Sequence, residues 1–318
     1  MPDPCDIRWF KQTFHEKIDA TLQGTPFTLD FLTALACQET GEVWPILRKR
    51  DLSLDRIVEL CVGDTFDAPN RSAFPKNKAA LVAVTNPDGQ RMFEVARQAL
   101  LDMAQFVDSY KGAASITTKF CHGYGIFQFD LQFFDKDPNY FLNKEYADFD
   151  KCLARALGEL KEAQQKISAL KSKSVLTDLE MAHVAIAYNT GDFNPAKGLK
   201  QGFRPKVNGV PTGPFYGEQV FDFINKAKAV PLRDETTTLP FTVDADGPLF
   251  KVTADSLNLR SEPCVDSGPA KNIKARLPKG HTVQAMTNKS VKGFQEVETD
   301  FEGKHLRGFA SSQFLAQV

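Results

Sequence analysis

Apolar positions recur every three or four residues through most of the chain up to about residue 235, the spacing of helices with one buried face. Leu29, Leu32, Leu35 and Ala36 form one such stripe, which predicts a helix over 28–38, with Thr28 as its N-cap and Asp30 in its first turn. Phe93, Ala96, Leu100, Met103 and Val107 predict a second over 90–110. Leu153, Leu157, Leu160, Ile167 and Leu170 predict a third over 149–172. A fourth is expected over 176–189, where Gly191 can serve as C-terminal cap. The last, over 216–228, carries Val220, Phe221 and Ile224.

The pattern changes over residues 230–248, where two prolines, a threonine run and an Asp/Gly/Pro cluster predict a linker. After it, short β-type runs alternate with turns: LFKVTA, LNLR, HTVQAM, FQEVET and LRGFA. Short strands at regular spacing predict a small barrel. The expected architecture is therefore a mainly helical domain over residues 1–235, a linker at 236–248 and a small all-β barrel over 249–318.

Composition narrows the function classes. Of 318 residues, 42% are hydrophobic and 25% charged, the balance of a globular protein rather than a disordered or fibrous one. Lys and Arg number 39 against 40 Asp and Glu, so the chain lacks the basic excess of a protein that coats nucleic acid. Residues 249–318 hold 10 basic and 7 acidic side chains (+3), the rest 29 and 33 (−4). No apolar run of 18 residues is present, so no membrane-spanning helix is expected. The 26 phenylalanines supply core without needing hydrogen-bond partners. The N-terminus, MPDPCDIRWFKQTFHEKID, has no signal-peptide-like apolar stretch. That leaves either a removed leader or export by another route. The six cysteines contain no CxxC pair, which argues against a zinc cluster, and a chain of this length can fold without disulfides. Reduced thiols are the expectation.

Three short segments carry the candidate chemistry. Ala36-Cys37-Gln38-Glu39-Thr40-Gly41 places a carboxyl at the end of an apolar helix, where burial can keep it protonated near neutral pH as a general acid requires. His122-Gly123-Tyr124-Gly125-Ile126-Phe127-Gln128 sets two glycines about an aromatic residue, which lets the backbone approach a ligand closely. Gln128 could hydrogen-bond a sugar or the catalytic carboxyl. Ala187-Tyr188-Asn189-Thr190-Gly191 ends an apolar helix with Tyr188 and Asn189 placed to face a groove. The polar, turn-rich stretch from Asp64 to Arg71 carries two further carboxylates, Asp64 and Asp67, in positions where capping of turns is the ordinary role.

Taken in order, these segments resemble the lysozyme-like superfamily, above all the soluble lytic transglycosylases and goose-type lysozymes. Glu39-Thr40 is similar to that family's Glu-Ser or Glu-Thr pair, Gly125-Ile126-Phe127-Gln128 to its "GLMQ" element, and Ala187-Tyr188-Asn189-Thr190-Gly191 to its "AYNAG" element. Tyr216 to Val220 resembles the helix that often closes the family's domain. About 85 residues separate Glu39 from Gly125, more than the family uses, so residues 50–115 read as a family-specific insertion. QETG with GYGIFQF and Asn139-Tyr140 also resembles plant-type chitinases, with Gln38 in place of their His. At the other end, Ser256–Pro263, Leu277-Pro278-Lys279-Gly280 and Gly308–Leu315 resemble three successive motifs of bacterial SH3-type domains, with Phe294 and Phe309 where that family usually has Trp and Tyr.

What the resemblance implies is an enzyme that cleaves the β-1,4 bond between N-acetylmuramic acid and N-acetylglucosamine in peptidoglycan, by hydrolysis or lytic transglycosylation. Glu39 would be the acid, with Asp64 or Asp67 as base if the route is hydrolytic. Thr40, Tyr124, Gly125, Gln128, Tyr188 and Asn189 would shape the pocket or contact sugar. No metal or other cofactor is expected. The partners would be peptidoglycan glycan strands, plus an immunity protein if the chain is a toxin, and its place of action the cell wall. The alternatives are a chitinase-like enzyme acting on N-acetylglucosamine polymers and a catalytically inactive wall-binding protein.

Overall fold

The computed structural model describes residues 1–68, 70–207, 210–230, 232, 247–266, 272–286, 290 and 293–318. Most of the expected linker, and Asn70's neighbour at position 69, lie outside these residues. Contacts divide the chain into two units, Met1–Pro2 with Phe10–Ala229, and Asp3–Trp9 with Val230–Val318. The boundary thus falls near residue 229, and a short N-terminal segment groups with the C-terminal part.

Within the first unit run α1 (Pro4–Leu22, from Phe10 on), α2 (Leu29–Thr40), α3 (Trp44–Leu47), α4 (Leu54–Glu59), β1 (Val62–Gly63), α5 (Lys78–Val82), α6 (Gly89–Ala104) and α7 (Lys111–Ala114). They are followed by β2 (Gly123–Tyr124), β3 (Phe129–Asp130), α8 (Pro138–Leu142), α9 (Phe149–Lys166), α10 (Asp178–Thr190), β4 (Lys206–Val207), β5 (Val210–Pro211) and α11 (Tyr216–Lys228). All five expected helices are present. The Thr28 side chain accepts from the Phe31 N–H, and Asp30 lies in the first turn of α2, as expected. Gly191 ends α10 in the left-handed conformation (φ 86°), again as expected.

Two helices stop before their apolar pattern does. Ile167 turns to an extended conformation and ends α9, yet Ile167 and Leu170 remain buried because the chain folds back, held by Gln164 donating to the carbonyls of Leu170 and Lys173. Val107 is likewise fully buried but extended, beyond the end of α6.

The phenylalanines make the core. Phe10 packs on Trp44, and Phe14 stacks on Phe149 with ring centroids 3.9 Å apart. Tyr124 meets Phe141 and Tyr146 at 5.3 and 4.9 Å. Helix α2 lies along α11, and α10 packs on both α9 and α11. Strands β1, β2 and β3 form a small antiparallel sheet in that order, with Val62 opposite Tyr124 and Gly123 opposite Asp130.

The second unit contains β6 (Leu249–Val252), β7 (Ser256–Arg260), β8 (Ile273–Pro278), β9 (Thr282–Ala285), β10 (Phe294–Phe301), β11 (Lys304–Ser311) and β12 (Leu315–Gln317). They form one seven-stranded antiparallel sheet in the order β12-β6-β9-β10-β11-β7-β8. Val252, Leu257, Leu259, Leu277, Val283 and Val297 fill its core. Strands β8 and β12 are additions to the expected set: β8 alternates Ile273, Ala275 and Leu277 with Lys274 and Arg276, a strand pattern cut short by Pro278.

The expectation of reduced thiols is corrected for one pair. Cys5 and Cys264 form a disulfide, both buried, within the second unit. Spacing along the chain gave no sign of it, because 259 positions separate the partners. Cys37, Cys61, Cys121 and Cys152 are buried thiols outside the disulfide. Among the described residues no helix is long and apolar enough to cross a membrane.

Candidate active site

Glu39 occupies the last turn of α2, where the carbonyls of the helix lack partners within it. Just before these, the Ala36 carbonyl accepts the Trp44 indole N–H at 3.1 Å. Thr40 next to it is 3% exposed and donates its hydroxyl to the Ile126 carbonyl at 2.7 Å. This fixes the end of α2 against the turn between β2 and β3. From α10, Tyr188 donates to the Phe127 carbonyl at 2.5 Å. Two hydroxyls from two helices therefore hold the backbone of residues 126 and 127.

The carboxyl itself is half-buried, and its Oε1 accepts the hydroxyl of Tyr216, the first residue of α11, at 2.5 Å. Tyr188 lies close enough for its phenol to feel the Glu39 charge. Burial raises the Glu39 pKa from 4.5 to about 7, against the opposing effect of the Tyr216 hydrogen bond. No neighbouring carboxylate contributes to this shift among the described residues. A carboxyl in this state holds its proton in about half of the molecules at neutral pH and can donate it.

Gln128 does not bond Glu39. Its amide donates to the Gly125 carbonyl at 2.8 Å, from a left-handed backbone (φ 56°). Its Oε1 lies over β1 and β2, where a Cβ on Gly63 would stand 2.8 Å from it and one on Gly123 closer still. The folded-back Gln128 side chain thus packs directly on Gly63 and Gly123, and a Cβ at either would displace it. Tyr124 is fully buried and donates to the Cys121 carbonyl, so it packs the core rather than meeting sugar. Gly125 is buried as well, facing Cys152 Sγ at 2.6 Å from where its Cβ would be. Thr40, like these two, is a structural residue here and not a surface contact. Asn189 is exposed at the end of α10, as expected for a groove residue.

The two candidate second carboxylates are both ion-paired. Asp64, just after β1 in a left-handed conformation (φ 45°), bonds Arg71 at 2.7 Å and accepts the Phe66 N–H. Asp67 pairs with Lys119 at 2.9 Å. Arg71 also bonds Asp130 at 2.6 Å, so one guanidinium ties the turn after β1 to the end of β3. His122 sits behind this cluster, fully buried, with burial and Arg71 holding its pKa below the usual value. The Tyr110 hydroxyl accepts the Asp64 backbone N–H and feels the charge of Glu42.

Sequence reasoning named Tyr216 only as part of a closing helix and missed it as the partner of Glu39. It passed over Arg71 as a residue of its own and left Asp130 and Tyr110 unremarked. Nothing in the spacing of these residues announces a site, since each reaches it from a separate element. The chain matches no family model, no curated protein and no solved structure.

The shifted carboxyl has a consequence for stability. Below pH 4.5 both folded and unfolded chains carry the Glu39 proton, and there is no cost. As pH rises the unfolded chain releases it first, so stability falls until about pH 7 and the penalty is constant above. A shift of this size corresponds to at most roughly 3 kcal/mol, less for a half-buried group. Glu39→Gln should therefore stabilise the helical unit at pH 8 and leave it unchanged at pH 4, as read from urea midpoints at the two pH values. Equal effects at both would show that the carboxyl carries no such cost.

Proposed function

We propose that the chain is a peptidoglycan-cleaving muramidase of lysozyme-like type, with Glu39 as general acid. The observation that carries this is a carboxyl with its pKa near 7, at the end of an apolar helix, held by Tyr216 beside the turn that bears Gln128. Glu39 gives its proton to the glycosidic oxygen as positive charge develops on the sugar ring. The bond to the leaving sugar then breaks; if the attack on the ring is internal, Glu39, now a carboxylate, accepts the proton of the attacking hydroxyl, and in an inverting hydrolysis a second carboxylate takes the proton of the attacking water.

That group is either water or the sugar's own 6-hydroxyl. A retaining hydrolase places its second carboxylate about 5–5.5 Å from the acid. At that distance like charge would itself raise the acid's pKa, and none contributes to the shift of Glu39. This favours internal attack by the 6-hydroxyl, or an inverting route with a more distant base. Asp64 and Asp67 are the bases for the latter. Asp64→Asn with Asp67→Asn should leave most of the rate if the attack is internal, and products ending in 1,6-anhydro sugar. Near-complete loss of rate, with reducing ends on the wild-type products, would establish hydrolysis instead.

The Cys5–Cys264 disulfide supports action outside the cytoplasm, where such bonds persist. The seven-stranded unit, with its three SH3-type motifs on or beside β7, β8 and β11, is read as a wall-binding module of that type. Digestion of purified sacculi and of chitin in parallel tests the substrate assignment: solubilised sacculi with untouched chitin is the expected outcome, and the reverse would make the enzyme chitinase-like.

A further inference from the structure

Twelve of the described phenylalanines are buried, whereas Phe66 and Phe203 are 57% and 59% exposed, more than any other described phenylalanine. Phe203 belongs to the segment between α10 and α11, whose order is set by its own hydrogen bonds. Gln201 bonds the backbone of Asn194 through both amide atoms and the Gly198 carbonyl at 2.7 Å. Its carbonyl accepts the Gly217 N–H. The Phe203 carbonyl accepts the N–H of Tyr216 at 2.9 Å, and Tyr216 is the residue that bonds Glu39. Gly202 lies directly on this assembly: in its left-handed conformation (φ 81°), a Cβ there would stand 2.6 Å from Tyr216 Cβ and 3.1 Å from Asn189 Oδ1. The backbone that carries the exposed ring is thus held against Tyr216, the hydrogen-bond partner of the candidate acid.

An aromatic face kept in water costs free energy unless something covers it. A pyranose ring has an apolar C–H face of matching size, and Phe203 lies on the backbone bonded to Tyr216, the partner of Glu39. We propose that Phe203 is the stacking platform for a sugar ring of the bound glycan, adjacent to the bond that is cleaved. The proposal rests on the glycan-cleaving reading and adds a specificity-determining residue to it. Phe203 binds sugar in both the ground and transition states, so its loss raises KM and leaves kcat nearly unchanged.

The test uses the full-length Glu39→Gln protein, so that substrate is bound but not turned over, with tetra-N-acetylchitotetraose and soluble uncross-linked peptidoglycan strands as probes. Adding Phe203→Ala should weaken binding about tenfold by calorimetry, the size of one well-made aromatic contact. Adding Phe203→Trp instead should preserve affinity and give an indole emission that shifts saturably with either glycan. If Glu39→Gln binds a glycan and Phe203→Ala leaves its affinity unchanged, Phe203 is not a platform and the glycan reading stands. If Glu39→Gln binds neither probe and the wild type cleaves neither, the glycan reading fails and this proposal with it. A side chain this exposed is not needed for folding, which circular dichroism of each variant checks.

Discussion

Glu39→Gln is expected to leave a folded protein that no longer releases soluble fragments from sacculi, with a fall in rate of roughly 10²- to 10⁴-fold. The amide keeps the size of the side chain and can still accept the Tyr216 hydroxyl, so the packing at the end of α2 is retained. What it lacks is the proton that leaves with the departing sugar. Wild-type activity in the same assay should be highest below about pH 7 and fall as Glu39 ionises, because the donor is the protonated form. Turbidity clearing across the pH range, with near- and far-ultraviolet circular dichroism as the check on folding, reads both. Lysis by Glu39→Gln at the wild-type rate would remove Glu39 from the mechanism and turn attention to Glu42, three residues on, whose charge is felt by Tyr110.

The second large effect is structural. The Cys5–Cys264 bond closes a loop of 259 positions, and loop closure restrains the unfolded chain more as the loop lengthens. Asn272 serves the same junction, donating to the Cys264 carbonyl at 3.0 Å and lying 3.3 Å from Cys5 Sγ, while its carbonyl oxygen accepts from Arg260. Buried Arg8 and Glu262 pair beside it. Replacing both cysteines by serine should cost about 2–5 kcal/mol in the unfolding of the second unit. Reductant should lower the wild-type transition by a similar amount and leave the double variant unmoved. Thiol titration of the denatured protein gives the direct count: four free thiols support the bond, six exclude it.

The sequence made the helices legible where a strict apolar period coincided with a capping residue. Thr28 before α2 and Gly191 after α10 are both in the places that pattern assigns them. Periodicity alone overran α9 and α6, because Ile167 and Val107 stay buried through turns that are not helical. Strand β8 carries the period-two alternation of a strand, Ile273, Ala275 and Leu277 against Lys274 and Arg276, but its short run ends on Pro278 and was passed over as a turn. The candidate site was legible in its acid and its two neighbouring elements, since Glu39, the Gly125–Gln128 turn and Tyr188 each lie in a compact motif. Its internal wiring was not. Tyr216 reaches Glu39 across 177 positions, Arg71 joins Asp64 to Asp130, and Cys5 finds Cys264, all of them contacts that only the tertiary fold creates. Residues expected to touch sugar, Thr40 and Tyr124 among them, turn inward because their hydroxyls find backbone carbonyls to bond. A motif can name residues near a site without saying which way they face.

Mass spectrometry of the fragments released from purified sacculi bears most directly on the assignment of this chain as a muramidase with Glu39 as its acid. Wild-type protein should liberate muropeptides cut between N-acetylmuramic acid and N-acetylglucosamine, with 1,6-anhydro ends if the attack is internal, and Glu39→Gln should liberate none. Release of no muropeptides by folded wild-type protein, or release of the same fragments by Glu39→Gln, would contradict it.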